Sequence, residues 1–310
     1  MFSLFDVLLY SLGWHTLLKA VSVKIPFWKS FLFVMFGIFI DTMIPTESVS
    51  AEITRIYLVN KEKAGTAGKA TASVLVQRFI GMIINIAILS IAAVILLTQN
   101  LLQGIILYTV FFLVASMLAL LAFLLLLSGK ESWTTKIIDK NFSFTKWLTR
   151  DHWKLDKYRD RALKIAEAFH NAIKTYGKSP KSILAASSFS IASYLSYLLV
   201  FCFSLMAIRP AQPIAWTAIL AITVIFVSTK SIPIGIPFDV GLPEIILSTL
   251  LVLFGYPPAI AATVTILIRV PTLWLRFFIG FVSQQWLGIK AMATGSNEKG
   301  EEIPKKVTSG

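Results

Sequence analysis

Residues 44–79 read IPTESVSAEITRIYLVNKEKAGTAGKATASVLVQRF, and this stretch places charged side chains inside otherwise apolar segments. Glu52 follows Pro45 by seven positions and precedes Arg78 by 26 positions. The midpoint of that pair is Gly65, inside the basic turn KEKAGTAGK. Residues equally distant from the turn of a helical hairpin lie at the same depth, because each adds the same rise along its helix. The spacing therefore predicts that Glu52 and Arg78 face each other across two antiparallel helices.

A second stretch repeats these landmarks near the other end of the chain. Glu244 follows Pro237 by seven positions and precedes Arg269 by 25, and the midpoint falls between Tyr256 and Pro257. The first turn is basic and the second is uncharged, so we expect the two hairpins to open to opposite sides of a membrane. Inverted repeats with broken helices are typical of secondary transporters. The alternative is two structural ion pairs in unrelated helices, and the spacing alone leaves both interpretations open.

The composition of the whole chain requires a membrane as its solvent. The 310 residues are 56% hydrophobic and only 15% charged, with a mean hydropathy of +0.75. Gly104 to Leu127 and Ile183 to Ile208 contain no charged residue. Each is longer than the roughly 20 residues that a helix needs to cross a bilayer. We therefore predict an all-α, multi-pass transmembrane helical bundle with broken or re-entrant helices in the cell membrane.

Two features predict how the first part of the chain is arranged. Phe31 to Ile44 and Glu47 to Asn60 have 14 residues each, which is too short to span, so they are expected to form a re-entrant pair around Pro45. Residues 1–18 are apolar but carry Asp6 and lack a basic beginning, so we predict a retained first helix rather than a signal peptide. The re-entrant pair would bring two groups of lysines to one face, namely Lys19, Lys24 and Lys29 with Lys61, Lys63 and Lys69.

The net charge of +13 is concentrated between two apolar spans. Residues 129–181 hold 13 Lys or Arg and 6 Asp or Glu, which predicts a cytoplasmic segment by the positive-inside rule. Apolar residues recur there every three or four positions from Leu155 to Tyr176, which predicts an amphipathic helix. This helix either lies on the inner leaflet or caps the bundle. The predicted organisation is a transmembrane unit over residues 1–290 and a polar, disordered tail over residues 291–310.

Further polar residues cluster around the two predicted helix breaks. Arg276 lies two helical turns beyond Arg269, and Arg55 shares a helix face with Glu52. Lys230 and Asp239 could belong to the site. An equally good interpretation is that their side chains extend to the membrane interface from helix ends and have no role in the site. The candidate substrate-binding residues are Asp41, Pro45, Glu47, Glu52, Arg55, Arg78, Lys230, Pro237, Asp239, Gly241, Glu244, Arg269 and Arg276.

These residues also carry a resemblance to a known family. The stretch around Glu52 resembles the signature of the lysylphosphatidylglycerol synthase transmembrane family, also called the flippase-like family, at Pro45, Thr46, Glu52, Arg55, Tyr57, Leu58 and Arg78. Near the other end, Pro237, Gly241, Glu244 and Arg269 are similar to its second motif. Ala51 replaces a glycine of the first motif, and Phe238 and Asp239 replace a Gly-Gly pair in the second. The family's usual first helix is expected to be missing from this chain.

The resemblance implies a module that moves lipids. In the multiple peptide resistance factor it moves aminoacylated phospholipid between leaflets, and other members work beside glycosyltransferases that act on polyprenyl lipids. For this chain it implies a phospholipid or polyprenyl-phosphate lipid as the ligand, with a separate glycosyltransferase or lipid-modifying enzyme, or a second copy of the chain, as candidate partners.

The leading functional hypothesis is lipid translocation, in which arginines receive a phosphate and glutamates hold them or accept an amine. The alternative is a membrane-embedded transferase acting on a polyprenyl-phosphate lipid, with Glu52 or Glu244 as base. A third hypothesis is an accessory subunit whose charged pairs are structural. We expect no enzyme activity, no cofactor, no metal and no nucleic-acid partner, because the three histidines are scattered, Cys202 is single and no nucleotide-binding motif is present.

Overall fold

The structure is a computed structural model that describes residues 1–44, 48–98, 104–129, 131, 135–136, 140, 156–208, 216–229 and 240–300. In chain order the helices are α1 (Phe2–Ala20), α2 (Phe27–Met43), α3 (Val49–Glu62), α4 (Ala67–Thr98), α5 (Gly104–Gly129), α6 (Asp156–Gly177), α7 (Pro180–Ile208), α8 (Trp216–Thr229), α9 (Leu242–Leu253), α10 (Pro258–Arg269), a π-helical turn (Val270–Trp274) and α11 (Leu275–Gly300).

The predicted all-α, multi-pass architecture is confirmed, and no β-strand occurs in the described ranges. In the part of the chain that the structure describes, four helical stretches are long and apolar enough to cross a membrane: Ala67–Thr98, Ile106–Leu126, Pro180–Ile208 and Pro258–Gly288. Helices satisfy their own backbone hydrogen bonds, which is why an apolar chain adopts them where no water is available. Helices α8 and α9 are shorter apolar helices of 14 and 12 residues.

The short helices α2 and α3 form the expected re-entrant pair. An ion pair between Lys29 and Glu62 joins the start of α2 to the end of α3. Near the start of α3, the helices approach closely, because a Cβ added to Gly37 would lie 3.0 Å from the carbonyl oxygen of Ala51. The chain therefore enters along α2, turns and returns along α3 to the end of the bundle from which it came.

Two hydrophobic cores are stacked along the length of the bundle. The basic-end core contains Trp14 and Leu18 of α1 and five buried apolar residues of α4, the first Ala70 and the last Ile80. The far-end core contains Phe226 and three buried apolar residues of α4, namely Leu89, Ala92 and Leu96. Because α4 contributes to both in succession, the two cores lie one beyond the other.

The two cores show that the hairpins open in opposite directions. Leu58, Val59 and Ala70, which flank the turn between α3 and α4, belong to the basic-end core. Leu251 and Ala261, which flank the turn between α9 and α10, belong to the far-end core. The arrangement is the one expected of an inverted repeat.

The amphipathic helix α6 packs against the bundle, which decides between the two positions that the sequence left open. A Cβ on Gly68 would collide with the carbonyl oxygen of Ile165, so α4 and α6 touch at backbone distance. His170 Nδ1 lies 3.1 Å from the carbonyl oxygen of Ser128, at the end of α5. The buried Tyr176 hydroxyl donates to the carbonyl oxygen of Leu17 at 2.8 Å, and burial raises its pKa, so it stays a neutral donor. Helix α6 therefore caps the basic end.

The last helix differs from expectation in two ways. It is interrupted by the π-turn, and it continues to Gly300, so the expected tail boundary at residue 291 falls inside α11. The residues past that boundary include Ala, Met, Lys and Glu, which are compatible with a helix although they are polar on average. Residues 301–310 lie outside the described part of the chain.

Candidate functional site

A polar cavity of about 390 Å³ lies between the two cores. Helix α4 lines it from Gln77 to Asn85 and α7 from Ser190 to Tyr197. On α4 this stretch begins within the residues of the basic-end core and ends before Leu89 of the far-end core, and on α7 Ser190 and Ser193 lie between Ala186 of the basic-end core and Phe201 of the far-end core. At about 1.5 Å per residue, Arg78 is roughly 16 Å from the first residue of α4, which places the cavity near the middle of the bundle.

The first charged wall of the cavity is the predicted pair across the α3–α4 hairpin. Arg78 Nη1 donates to both carboxylate oxygens of Glu52, at 3.0 and 2.9 Å. The side chains keep 22% and 18% of their exposure, and both line the cavity. The pairing inferred from equal distance to the turn is confirmed. The two charges are neutralised by each other but remain open to a ligand on their cavity side.

The second charged wall contains a residue that was not among the candidate site residues. Arg276 Nη2 lies 2.5 Å from Oδ2 of Asp6, and Ser193 Oγ donates to the other carboxylate oxygen. Arg276 Nε donates to Ser3 Oγ at 2.9 Å, and its guanidinium lies 5.7 Å from the centre of the Tyr197 ring. Asp6 is the one acidic residue of an apolar first helix, and such an intramembrane charge could have indicated a site.

The π-turn explains why the side chains of Arg269 and Arg276 point to different parts of the bundle. They are seven residues apart, and in a regular α-helix they would share a face. A π-turn inserts one extra residue, and one residue corresponds to about 100° of rotation. Pro271 lies in the turn; it has no N–H, and its ring would clash with a carbonyl in a regular helix. Arg276 consequently points into the cavity and Arg269 does not.

The second predicted pair forms outside this cavity. Arg269 Nε lies 2.6 Å from Oε1 of Glu244, whose other oxygen accepts from the backbone N–H of Gly241 at 2.6 Å. Gly241 has a φ of +100°, a conformation that favours glycine, and precedes the first residue of α9. The predicted pairing is confirmed, but Glu244 and Arg269 are not among the described residues that line the cavity. Their geometry fixes the start of α9 against α10.

Arg55 lies behind the cavity wall instead of on it. The residue is 4% exposed, and its Nη1 donates to Oε1 of Gln77 at 3.0 Å. Its guanidinium carbon lies 5.5 Å from the ring centre of Tyr10 and 5.1 Å from that of Trp14. Arg55 is not among the residues that line the described cavity, whereas Gln77 and Tyr10, which contact it, are. Direct contact of Arg55 with a phosphate stays a prediction.

Asp41, which lies before the first break, is not among the residues that line the described cavity. Asp41 accepts from the backbone N–H of Ser48 at 2.8 Å and from Ser50 Oγ at 2.8 Å, so it holds the start of α3. Five candidates lie outside the described residues: Pro45, Glu47, Lys230, Pro237 and Asp239.

Two polar atoms on the cavity wall have no partner within the described ranges. They are the hydroxyl of Tyr194 and Oδ1 of Asn85, and both are buried. Buried polar groups normally have hydrogen-bond partners, so unmatched ones in a cavity indicate a place for a polar ligand. The described wall thus includes two arginines and two carboxylates, and Tyr194 and Asn85 add a hydroxyl and an amide oxygen that have no partner in the described ranges. Among the described residues, no group of three or more His, Cys, Asp or Glu is positioned to hold a metal ion.

Comparison with known proteins identifies relatives of this chain. A family model described as "Lysylphosphatidylglycerol synthase TM region" matches residues 1–280. The chain is also 22% identical over 289 residues to "UPF0104 membrane protein PH1989" of Pyrococcus horikoshii, a match that covers 89% of this chain and 82% of that protein. No solved structure matches the chain.

Proposed function

We propose, from the premise that this chain belongs to the lysylphosphatidylglycerol synthase TM region family, that it moves a phosphate-bearing lipid between the two leaflets of a membrane. Membership of this family implies a function related to membrane lipids. The observation that carries the finer proposal is the polar cavity between two apolar cores, with an ion pair on each of two walls. The proposal is transport and not catalysis.

The chemistry of the cavity suits a lipid headgroup. The headgroup would enter the cavity while the acyl or prenyl chains stay in the surrounding hydrocarbon. A phosphate that crosses hydrocarbon alone loses its hydration, at an effective cost of several kcal/mol or more. Arg78 and Arg276 can offset that cost, because a guanidinium matches the geometry of phosphate oxygens.

The carboxylates can form ion pairs with the arginines again after the lipid leaves. Glu52 and Asp6 neutralise Arg78 and Arg276 in the empty cavity, so no isolated charge remains there. When a phosphate displaces a carboxylate from its arginine, the free carboxylate can accept an amine of the same headgroup or a hydrogen bond from Tyr194. With an amine in the headgroup, this exchange pairs every charge; without one, the hydrogen bond stabilises the carboxylate but does not neutralise it.

The test is translocation in liposomes that contain purified protein and a fluorescent phospholipid or polyprenyl-phosphate lipid. We expect Arg78→Gln and Arg276→Gln each to slow translocation by about tenfold or more, the effect of losing a charged hydrogen bond. Lys61→Gln is the matched control, because Lys61 is an exposed cation at the end of α3 and should leave the rate unchanged.

Melting temperatures of the same variants separate binding from folding. If the variants stay folded and translocate at the wild-type rate, the cavity arginines are not needed for translocation. If wild-type protein moves neither lipid, translocation itself is refuted, and the transferase and accessory-subunit hypotheses take its place.

A further inference from the structure

Ser3 is a buried polar residue of α1 that joins Arg276 to the π-turn. Its hydroxyl donates to the backbone carbonyl of Pro271 at 2.7 Å and accepts from Nε of Arg276 at 2.9 Å. The direction of both hydrogen bonds is fixed, because a carbonyl can only accept and a guanidinium can only donate. Ser3 is 1% exposed and is not among the residues that line the described cavity. The Ser3 hydroxyl therefore contacts the cavity wall through Arg276.

The guanidinium of Arg276 is held through two different nitrogens. Nε is bonded to the Ser3 hydroxyl, and Nη2 lies 2.5 Å from Oδ2 of Asp6. Nη2 also makes a longer contact of 3.4 Å with the backbone carbonyl of Ser3. A phosphate that replaces Asp6 at Nη2 leaves the hydrogen bond at Nε intact. The Ser3 hydroxyl can therefore hold the guanidinium in place whichever anion binds it.

Arg78, on the other charged wall, is held differently. In the part of the chain that the structure describes, both hydrogen bonds of its side chain are made by Nη1, and both go to the carboxylate of Glu52. A phosphate that displaces Glu52 would take over the one group that orders this arginine. Binding costs less when a side chain is ordered before the ligand arrives. Arg276 is thus the preorganised arginine of the cavity, and Arg78 is the one that depends on its exchangeable partner.

We infer that Ser3 is a positioning residue that keeps Arg276 directed into the cavity when a phosphate takes the place of Asp6. The inference rests on the proposed function and adds a residue to its site. The π-turn rotates Arg276 toward the cavity, and Ser3 ties Nε of that arginine to a carbonyl of the same turn. Without the hydroxyl, the ligand itself would have to order a long side chain, and its affinity would fall.

The experiment is a double-mutant cycle between Ser3 and Arg276. Ser3→Ala removes the hydroxyl and Ser3→Thr retains one, and each is made in the wild type and in Arg276→Gln. Ser11→Ala is the matched control, because Ser11 is a buried serine of the same helix whose hydroxyl bonds within that helix, to the carbonyl of Val7. Ser3→Cys, which replaces the hydroxyl by a weak donor, is the second test if Ser3→Ala does not fold.

Two readouts separate binding from transport. The first is the rise in melting temperature that phosphatidylglycerol gives to detergent-purified protein, and the second is the translocation rate of fluorescent phosphatidylglycerol in liposomes. We expect Ser3→Ala to slow translocation by about tenfold, the effect of losing a hydrogen bond to a charged group, and to reduce the rise in melting temperature. Ser3→Thr and Ser11→Ala should stay close to the wild type. In Arg276→Gln, Ser3→Ala should cause no further loss, because Ser3 acts through Arg276.

A purely structural role of Ser3 gives a different pattern. Ser3→Ala would then lower the melting temperature without lipid and would slow translocation by the same factor with and without Arg276, and that result would overturn the inference. A lipid response that Ser3→Ala leaves unchanged would overturn it too, as would a wild type that phosphatidylglycerol does not stabilise. If the lipid stabilises the wild type but is not moved, and Ser3→Ala weakens that stabilisation only when Arg276 is present, the translocation proposal fails and the role of Ser3 stands.

Discussion

Arg78 and Arg269 occupy matching positions in the two hairpins, yet their environments differ. Each lies eleven residues after the first residue of its helix and pairs with a glutamate near the start of the preceding helix. The Arg78 side chain keeps 22% of its exposure and faces the cavity, whereas that of Arg269 keeps 5% and faces Glu244 and the start of α9. The same pair therefore acts as a candidate ligand site in one hairpin and as a brace in the other.

The stabilising role of the Glu244–Arg269 pair can be tested by removing one of the two charges and then both. We expect Arg269→Met to destabilise the protein by about 3 kcal/mol, because Glu244 would be left as a poorly solvated charge without its partner. The double variant Arg269→Met, Glu244→Gln removes both charges and should recover most of that loss. Thermal or denaturant melts in detergent give the comparison. A double variant as unstable as the single one would show that the pair is not what stabilises this corner.

Some of the ion pairs could be predicted from the sequence, and others could not. The pairs Glu52–Arg78 and Glu244–Arg269 were predictable, because a helical hairpin converts equal spacing from its turn into equal depth. The pair of Asp6 and Arg276 joins residues 270 positions apart, and no local periodicity relates them. Arg55 was correctly expected on the Glu52 helix, but only the packing of α1 against it shows that rings surround it.

At the scale of elements, a close approach between α2 and α11 holds the re-entrant pair in the bundle. A Cβ added to Gly280 would lie 2.6 Å from the carbonyl oxygen of Met35 and 2.7 Å from Cβ of Phe39. The rings of Phe277 and Phe281 contact Phe39 on either side of this point. The absence of a side chain at Gly280 thus lets the two helices pack at backbone distance.

We expect Gly280→Ala to destabilise the protein by about 1 to 3 kcal/mol, the usual cost of overpacking a tight contact. Gly288→Ala, two turns later in α11, is the matched control, since a Cβ there would meet nothing within 4 Å. It should be neutral or slightly stabilising, because alanine is the better helix former. The measurement is the midpoint of thermal unfolding in one detergent. Equal midpoints for the two variants would contradict the close approach.

Element order and length could be predicted, and interruptions within elements could not. Two 14-residue segments around Pro45 predicted the re-entrant pair because neither is long enough to span. The periodicity of α6 predicted a helix but not its location, which depends on contacts such as that with Gly68. The π-turn at Pro271 was not foreseen, although it decides which of two arginines faces the cavity.

At the scale of the whole molecule, two apolar cores enclose a polar centre. The turn of the α3–α4 hairpin belongs to the basic-end core and that of the α9–α10 hairpin to the far-end core. The cavity is lined on α4 by residues that lie 10 to 18 positions after its first residue, between the ends of that 32-residue helix. A central binding site between oppositely oriented repeats is a common plan for proteins that expose a site alternately to two sides of a membrane.

The orientation of this bundle gives the last prediction. The end that carries the basic turn also carries α6, Lys19, Lys24 and Lys29. Each cation near an anionic inner leaflet gains about 1 kcal/mol, and basic segments stay in the cytoplasm during insertion. The turn between α9 and α10 carries no charge. We therefore expect the basic end to be cytoplasmic and the far end to face outward.

Cysteines introduced one at a time provide the test of this orientation. The background is Cys202→Ala, since Cys202 is buried and is the only cysteine of the chain. Lys63→Cys and Ala259→Cys are at exposed positions beside the two turns. With a membrane-impermeant maleimide on intact cells, Ala259→Cys should react, and Lys63→Cys should react only after the cells are permeabilised. Labelling of Lys63→Cys alone from outside would show that the orientation is the reverse of the expected one, and it would not contradict the fold. Labelling of both from outside would place the two turns on one side, and that result would refute the opposed hairpins, because each turn is bound to a different core.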